Sequence, residues 1–288
     1  MTCLTRYLYE WSHVNRSLIW ALLDRRRDEA LFWTYEGYFS GFQEETWAFL
    51  EEIYRVFYAN ASPELSEPLE LLYLEHQTTP SDDTLVGTFV VHLLHARYSL
   101  GEGGEGSAKN IRINVPEGRS WVDEEEVDIY RTTEPSLPPR KWLTHMCRYS
   151  VRTVMPWLPG TVPVDKSSPL TSSSPVNYSL YRHWLYHASG SPVWAQRISE
   201  YGGTVDDDAE TVVFDDDDDL EDFYTAYDLD PDEQPLSVQL RFMPPLVCTP
   251  MSWEDFEGTY GSVAVAGVRS GSGITTEGGD SGVTEERD

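Results

Sequence analysis

The stretch TVDDDAETVVFDDDDDLEDFYTAYDLDPDEQ, residues 204–234, decides how the chain is interpreted. It holds fifteen Asp and Glu residues and no Lys or Arg. An acidic run is usually solvated surface, but this one also holds Phe214, Phe223, Tyr224 and Tyr227. Aromatic side chains bury large areas when a protein folds. We therefore expect the stretch to be partly folded onto the rest of the protein.

Two local patterns inside this stretch predict a strand followed by a helix. Residues 211–214 are mostly β-branched or aromatic, which favours a strand. After the five consecutive Asp residues 215–219, apolar side chains recur at three- and four-residue steps from Leu220 to Tyr227, as on one face of a helix. The Asp residues would then lie at the N-terminus of that helix, where the helix dipole favours negative charge.

A second strand is predicted directly after the acidic stretch. In residues 237–242, Val238, Leu240 and Phe242 alternate with polar residues, as in a half-buried strand. We expect this strand to pair with residues 210–214, so that one small β-hairpin brackets the acidic run.

Composition places the chain among globular proteins and restricts its partners. Of 288 residues, 40% are hydrophobic and 13% are aromatic, so a sizeable core is available. The formal net charge of −28 repels phosphate backbones over most of the surface. Nucleic-acid binding by the whole chain is therefore disfavoured, although a local basic face remains open, and a basic protein is the expected partner.

Three cysteines, Cys3, Cys147 and Cys248, lie far apart in the chain. Their odd number and wide spacing argue against a disulfide framework and fit a reducing compartment. No apolar run approaches the roughly 18 residues that a transmembrane helix needs, and the N-terminal residues lack the apolar core of a signal peptide. We expect an intracellular protein with no membrane segment.

Helical periodicity dominates the first hundred residues. Apolar side chains recur at three- and four-residue steps in five segments, which begin near residues 17, 29, 43, 62 and 81. The short intervals between them predict antiparallel helical hairpins. Such hairpins suit either a compact bundle or a short α-solenoid, and no repeat of fixed period favours the solenoid. The predicted fold class is mostly α, with one small β-hairpin and a disordered C-terminal tail.

Changes in composition divide the chain into four parts. An N-terminal helical domain (1–100) is followed by a linker that includes a short strand near Ile111 (101–139). A second helical region contains the acidic strand and helix (140–243). The Pro-, Gly- and Ser-rich remainder (244–288) has little to bury, so we expect it to be disordered.

The most basic part of the chain is residues 140–152, which hold no acid. Trp142, Met146 and Tyr149 lie three and four positions apart, which predicts an amphipathic helix. One interpretation, which we prefer, is a core helix with a solvated basic back. The other is a contact surface for nucleic acid or for an acidic partner. Its candidate residues are Arg140, Lys141, Arg148 and Arg152.

No motif of a known enzyme class is found, so we predict no catalytic residue, no bound metal and no cofactor. His183 and His187 would share a helix face, and His92 and His95 are similarly close, but no third metal ligand is specified for either pair. Cys147 has a basic neighbour that would favour the thiolate, but it lacks a surrounding nucleophile motif.

The acids near the end of the stretch also fail to complete a calcium-binding loop. Asp228, Asp230 and Asp232 alternate as that loop requires. Pro235 and the lack of a central Gly do not fit it. Although the acids alternate, we therefore predict no calcium site in this segment.

Three segments of the chain, the last of which overlaps the acidic stretch, resemble those of a known protein family. They are LFWTYEGYFSGF (31–42), SPVWAQRISEYGG (191–203) and DLEDFYTAYDLDPDEQP (219–235), and the similarity extends over about half of the chain. Together they resemble a family of uncharacterised proteins encoded by nucleocytoplasmic large DNA (giant) viruses. The resemblance implies a viral protein in the host-cell cytoplasm or virus factory, with virion membership open. It carries over no catalytic residue and no established activity.

The function expected from these features is non-enzymatic protein interaction or scaffolding by a viral protein. A helical platform would present the acidic aromatic segment to a basic partner, because charges steer an encounter and buried aromatics hold it. The candidate contact residues are Phe214, Phe223, Tyr224, Tyr227, Asp230, Asp232, Glu233 and Gln234. The alternative is a nucleic-acid-associated factor in viral transcription or replication that uses the basic helix 140–152.

Overall fold

The structure, a computed structural model, describes residues 3–98, 119–131, 137–152 and 178–244. Within these ranges it has twelve α-helices and one two-stranded antiparallel sheet. The predicted fold class, mostly α with one small β-hairpin, is confirmed. The strand predicted near Ile111 and, apart from Pro244, the tail predicted to be disordered lie outside the described residues.

Five helices form the N-terminal part, and the five predicted helical segments are confirmed. They are α1 (Trp11–Leu23), α2 (Arg27–Tyr38), α3 (Gln43–Ile53), α4 (Ser66–Thr78) and α5 (Thr84–His95). A π-helical turn (Tyr54–Tyr58) extends α3, and a 3₁₀ turn (Pro63–Leu65) precedes α4. The first helix begins earlier than predicted, since Val14, buried like Leu18, continues the apolar stripe toward the N-terminus.

The centre of this part is α5. Its sequence TLVGTFVVHLLH is apolar on nearly every side, and eight of its twelve residues are buried. A helix that is apolar all round belongs inside a core. Accordingly α5 contacts α1, α2, α3 and α4. In a solenoid each hairpin would contact only its neighbours, so this arrangement is a bundle.

The remaining elements are short. They are α6 (Glu124–Asp128), α7 (Trp142–Met146), α8 (Tyr178–Arg182), α9 (Trp184–Ala188), α10 (Pro192–Glu200), β1 (Thr204–Asp206), β2 (Thr211–Val213), α11 (Asp217–Tyr227) and α12 (Leu236–Phe242). Two 3₁₀ turns, Pro139–Lys141 and Pro231–Glu233, precede α7 and α12. Helices of this length are marginal alone, so they depend on packing against neighbours. None of the helices in the described ranges is long and apolar enough to cross a membrane.

The β-hairpin forms, but its predicted pairing is wrong. β1 pairs antiparallel with β2, with Thr204 opposite Val213. The segment expected as its partner, residues 237–242, is helical in α12. Val238 and Phe242 lie four residues apart, so they share a helix face, and both are buried. The alternation that suggested a strand fits this helical spacing equally well.

Two predicted helices are shorter or broken. The basic segment 140–152 is helical only in α7, after which Val151 N donates to Arg241 O at 3.0 Å in α12. The helix ends because the backbone of Cys147 is not helical. The helix that would place His183 and His187 on one face is interrupted at His183, whose backbone is not helical, and so divides into α8 and α9.

One continuous hydrophobic core contains buried residues from Leu4 to Met243. Trp194 in α10 shows how distant parts of the chain meet there, because its indole Nε1 donates to Thr5 O at 3.1 Å. The two predicted helical regions therefore share a core. The domain boundaries themselves stay a prediction.

A buried ion pair docks the segment before α1. Arg6 Nε donates to Glu36 Oε2 at 3.0 Å, and both side chains are almost fully buried. Tyr7 N also donates to Glu36 Oε1 at 3.2 Å, and Arg6 Nη2 donates to Tyr130 O at 2.8 Å. Buried charges need such pairing and hydrogen bonding. The pair therefore holds the N-terminal segment against α2.

Candidate functional site

The acidic stretch is anchored to the core by the aromatic side of α11. Phe223 is fully buried and Tyr227 is nearly so. The Tyr227 ring lies 5.6 Å from that of Trp194, edge to face, and the Phe223 ring lies 5.1 Å from that of Phe214. Aromatic pairs in such geometries add to the stability that area burial supplies. Phe223 and Tyr227, predicted as contact residues, therefore hold α11 in place.

The five consecutive Asp residues lie at the N-terminus of α11, as predicted. Asp216 is the N-cap, and its side chain accepts a hydrogen bond from Asp219 N at 2.9 Å. Asp217, Asp218 and Asp219 form the first helical turn. The helix dipole and the cap stabilise negative charge at this end. Partial desolvation, together with the charges of Asp216 and its neighbours, raises the pKa of Asp219 above its ordinary value.

We call the acids of the hairpin, of the Asp run 215–219 and of the following residues of α11 together the acidic face. It comprises Asp206, Asp207, Asp208, Glu210, Asp215, Asp216, Asp217, Asp218, Asp219, Glu221 and Asp222. All are exposed except Asp219, which is half-buried. Among the described residues, none of these acids forms an ion pair with Lys or Arg. The acidic face therefore carries negative charge that no ion pair within the described part of the chain neutralises.

Exposed apolar side chains occur on the same elements as these acids. Val205 and Val213 on the hairpin are 45% and 50% exposed, and Leu220 on α11 is 37% exposed. The hairpin itself is fixed, because Tyr186 Oη in α9 donates to Asp207 Oδ1 at 3.2 Å. The acidic face thus offers both charge and some apolar contact area on a folded framework.

Three carboxylates converge just beyond α11. Asp228, Asp230 and Glu233 each place an oxygen within 4.8 Å of the others. Arg140 pairs with two of them, with Nε 3.3 Å from Asp228 and Nη2 in contact with Glu233. This is the one group in the described ranges whose geometry could hold a metal ion, and Arg140 already supplies a counter-charge there. Gln234, the last residue of the DPDEQ segment (residues 230–234), is buried.

Asp230 differs from the other two carboxylates, because within the described part of the chain it forms no ion pair with Lys or Arg. Its Oδ1 accepts a hydrogen bond from Trp184 Nε1 at 2.7 Å. Burial is the largest cause that raises the pKa of the Asp230 carboxyl, and nearby acids such as Glu233 raise it further. The hydrogen bond from Trp184 acts in the opposite direction and lowers this pKa. Asp230 is thus a partly desolvated carboxylate that a cation would stabilise.

A groove lies between the hairpin, α8, α9, α11 and the 3₁₀ turn Pro231–Glu233. Its volume is about 370 Å³. Four acids line it, namely Glu210, Asp230, Asp232 and Glu233. The aromatic walls include Phe214, Tyr224 and Trp184. Of the predicted contact residues, Phe214, Tyr224, Asp230, Asp232 and Glu233 therefore meet at one site, while Phe223, Tyr227 and Gln234 are buried beside it.

The four basic candidate residues are held by different parts of the chain. Arg140 pairs with Asp228 and Glu233, and Lys141 is exposed. Arg148 donates to Ile129 O at 3.1 Å. Arg152 forms a bidentate pair with Glu29, at 2.9 and 2.8 Å. The nucleic-acid alternative stays a prediction, and these ion pairs would have to break before Arg140 or Arg152 could contact phosphate.

Three consecutive arginines at residues 25–27 form another basic cluster, and it is also engaged within the protein. Arg25 Nη1 donates to Leu93 O at 3.0 Å. Arg26 pairs with Glu29 at 2.8 Å, and Arg27 with Glu126 at 2.7 Å. Arginine's planar fork suits such contacts. This cluster joins α2 to α5 and α6.

The histidines and the thiol considered from sequence do not form a site. His183 lies in the break between α8 and α9, so it does not share a helix face with His187. Neither pair of histidines belongs to a metal-binding group among the described residues. Cys147 is fully buried, and burial raises the pKa of its thiol, which disfavours the nucleophilic thiolate.

The sequence did not identify Trp184 as a member of the site, and it placed Arg140 on a basic contact surface and not beside these carboxylates. Trp184 and Arg140 lie 46 and 93 residues from their partners Asp230 and Glu233. No local sequence motif indicates either contact. Phe214, Tyr224, Asp230, Asp232 and Glu233 were predicted as contact residues from the acidic aromatic stretch itself.

Comparison of the chain with known protein families, with curated proteins and with solved structures finds no match. The resemblance to giant-virus proteins therefore stays a prediction.

Proposed function

We propose that this protein is a non-enzymatic interaction protein whose acidic face binds a basic segment of a partner protein. The observation that carries this proposal is the set of eleven acids from Asp206 to Asp222 that form no ion pair with Lys or Arg in the described part of the chain. Unneutralised charge on one surface attracts a partner of opposite sign and accelerates its association.

Acids elsewhere in the structure provide the contrast. Glu29, Glu36 and Asp83 are each paired with an arginine. Arginines therefore neutralise these buried and half-buried acids of the bundle, whereas no ion pair among the described residues neutralises the acidic face. A basic partner would supply the missing charge.

The character of the face favours a folded or helical basic segment over a simple polycation. Val205, Val213 and Leu220 offer apolar area between the acids. The anchored aromatics Phe223 and Tyr227 hold the face in a defined shape, which lowers the ordering cost of binding. Charge would then direct the encounter, and apolar contact would prolong it. If the resemblance to giant-virus proteins holds, the partner is present in the infected cell.

The test is binding of a fluorescein-labelled amphipathic peptide of Arg, Lys and Leu, measured by anisotropy. A face variant neutralises five acids while keeping the cap Asp216. Its substitutions are Asp215→Asn, Asp217→Asn, Asp218→Asn, Glu221→Gln and Asp222→Asn. We expect it to weaken binding at least about tenfold, equivalent to about 1.4 kcal/mol, and to flatten the salt dependence of Kd.

A matched control removes the same charge elsewhere. Its substitutions are Glu51→Gln, Glu64→Gln, Glu67→Gln, Glu70→Gln and Glu75→Gln, all at exposed positions of α3, α4 and the turn before α4. We expect this control to bind like the unmodified protein. Equal losses in both variants would show that net charge alone attracts the peptide and would contradict the proposal.

A further inference from the structure

The groove between the hairpin, α9, α11 and the 3₁₀ turn adjoins the acidic face, and Glu210 belongs to both. It encloses about 370 Å³, within the range of small-ligand sites. Its walls combine aromatic rings and carboxylates, which is the composition that recognises organic cations. The groove is therefore a candidate for one particular side chain of the partner.

The charge inside the groove is negative. The acids Glu210, Asp230, Asp232 and Glu233 line it together with one basic residue, Arg182. Among these five side chains, four negative charges and one positive charge leave a net charge of −3. A cation that enters this space meets a favourable field on several sides.

The same carboxylate group already binds a guanidinium group. Arg140 approaches Asp228 and Glu233 from a neighbouring groove, which Pro138 and Pro139 also line. Asp230, the third member, instead faces the first groove with Trp184 Nε1–H as its hydrogen-bond donor. Arg140 of this chain thus pairs with Asp228 and Glu233. The carboxylate of Asp230 remains available to a cation from another molecule.

Arginine–aromatic stacking is also used beside this site. The guanidinium of Arg197 lies 4.6 Å from the ring centre of Trp194 and 4.8 Å from that of Tyr227. In the groove, the half-buried ring of Tyr224 lies among the lining residues with Asp230 and Asp232. A planar guanidinium can stack on a ring while its in-plane N–H groups donate to two carboxylates, whereas an ammonium group has no planar face to stack.

We propose that this groove binds the guanidinium group of an arginine from the basic partner, with Asp230 and Asp232 as acceptors and Tyr224 as the aromatic wall. The inference rests on the proposed function, because it assigns a specific pocket to the partner that the acidic face attracts. The acidic face would direct the basic segment, and the groove would select arginine over lysine.

The experiment compares three forms of the labelled amphipathic peptide, with all basic positions Arg, all Lys, or all citrulline. Each is titrated against the unmodified protein and against Asp232→Asn and Asp230→Asn/Asp232→Asn. Asn at 230 keeps an acceptor for Trp184 and removes the charge, and Asp232 is exposed with no side-chain hydrogen bond in the described structure. The control Glu70→Gln/Glu75→Gln removes the same charge on α4.

We expect the Arg peptide to bind the unmodified protein several-fold more tightly than the Lys peptide, and the citrulline peptide to bind least. The double variant should weaken the Arg peptide about tenfold and nearly erase the preference for Arg over Lys, while the control leaves both unchanged. Asp232→Asn should give an intermediate loss, which keeps the test valid if the double variant folds poorly.

Three outcomes would overturn the assignment. If the double variant binds the Arg peptide as the unmodified protein does, while the five-residue face variant loses binding, the groove is wrong and the proposed function stands. If the double variant loses affinity for the Arg peptide and for the Lys peptide by the same factor, the groove attracts positive charge without recognising the guanidinium group. If the unmodified protein binds neither peptide at low salt, both proposals fail.

Discussion

Trp184 donates its indole N–H to the Asp230 carboxylate at 2.7 Å. The bond joins α9 to the segment that leads into the 3₁₀ turn, across 46 residues of chain. Trp184 is buried and packs edge to face on Trp194, with ring centres 5.4 Å apart. The groove therefore has a rigid wall, and its central carboxylate has a fixed orientation.

The strength of this bond can be measured by a double-mutant cycle with Trp184→Phe and Asp230→Ala. Hydrogen bonds to charged groups contribute about 1.5–3 kcal/mol. We expect a coupling free energy in that range from urea unfolding of the four proteins. The cycle cancels the packing lost with the indole ring. A coupling below about 0.5 kcal/mol, within the additivity of independent sites, would show that the bond is weak in solution.

The pH dependence of stability should report the environment of Asp230. Burial raises its pKa in the folded protein. A carboxyl with a raised folded-state pKa binds its proton more tightly in the folded state, so its contribution to stability is present at low pH and is lost as pH rises through that pKa. Asn does not titrate. Asp230→Asn should therefore gain stability relative to the unmodified protein between about pH 4, near the unfolded pKa, and neutrality.

Urea unfolding of both proteins at several pH values checks this. The difference in free energy of unfolding should grow with pH and then level off above the folded-state pKa. Parallel curves over the whole interval would mean that Asp230 titrates alike in the folded and unfolded chains.

The N-cap of α11 offers a test that separates charge from geometry. Asp216→Ala and Asp216→Asn both remove the charge, but only Asn keeps the side-chain acceptor for Asp219 N. We expect Asp216→Ala to lower the free energy of unfolding by about 1 kcal/mol and Asp216→Asn to change it little. Similar losses in both variants would mean that the charge, and not the cap, stabilises the helix.

The anchoring role of Phe223 predicts a larger effect. Phe223→Ala removes a fully buried ring and should cost about 3–5 kcal/mol of stability. Leu220→Ala, one turn earlier and 37% exposed, is the comparison and should cost well under half as much. Circular dichroism and urea unfolding measure both. Equal costs would indicate that α11 is not held through Phe223.

The buried pair between Arg6 and Glu36 predicts the strongest electrostatic effect in the bundle. Glu36→Gln leaves the Arg6 charge buried without its counter-ion, which typically costs about 3–5 kcal/mol. Glu52→Gln at the exposed pair Glu52–Arg55 should leave the urea midpoint nearly unchanged. A small loss from Glu36→Gln would show that water reaches Arg6 when the pair is broken.

The helices of the bundle and the position of the acidic helix could be predicted from sequence. Spacing within α5 and α11 identifies their buried faces, and the Asp run identifies a helix N-terminus. The partner of β2 could not be predicted. Positions 238 and 242 satisfy both a strand and a helix pattern in so short a segment, and packing against the core selects the helix.

The sequence by itself determined the helical class, the excess of negative charge and the place of the Asp run at the N-terminus of α11, because these depend on composition and on residues within a few positions of one another. Only the tertiary structure decided which carboxylates are neutralised. Arg140 reaches Glu233 across 93 residues, and Trp184 reaches Asp230 across 46. Pairing over such distances is set by how the helices pack, so acids that look alike in the DPDEQ segment become ion-paired, hydrogen-bonded or exposed according to their place in the fold.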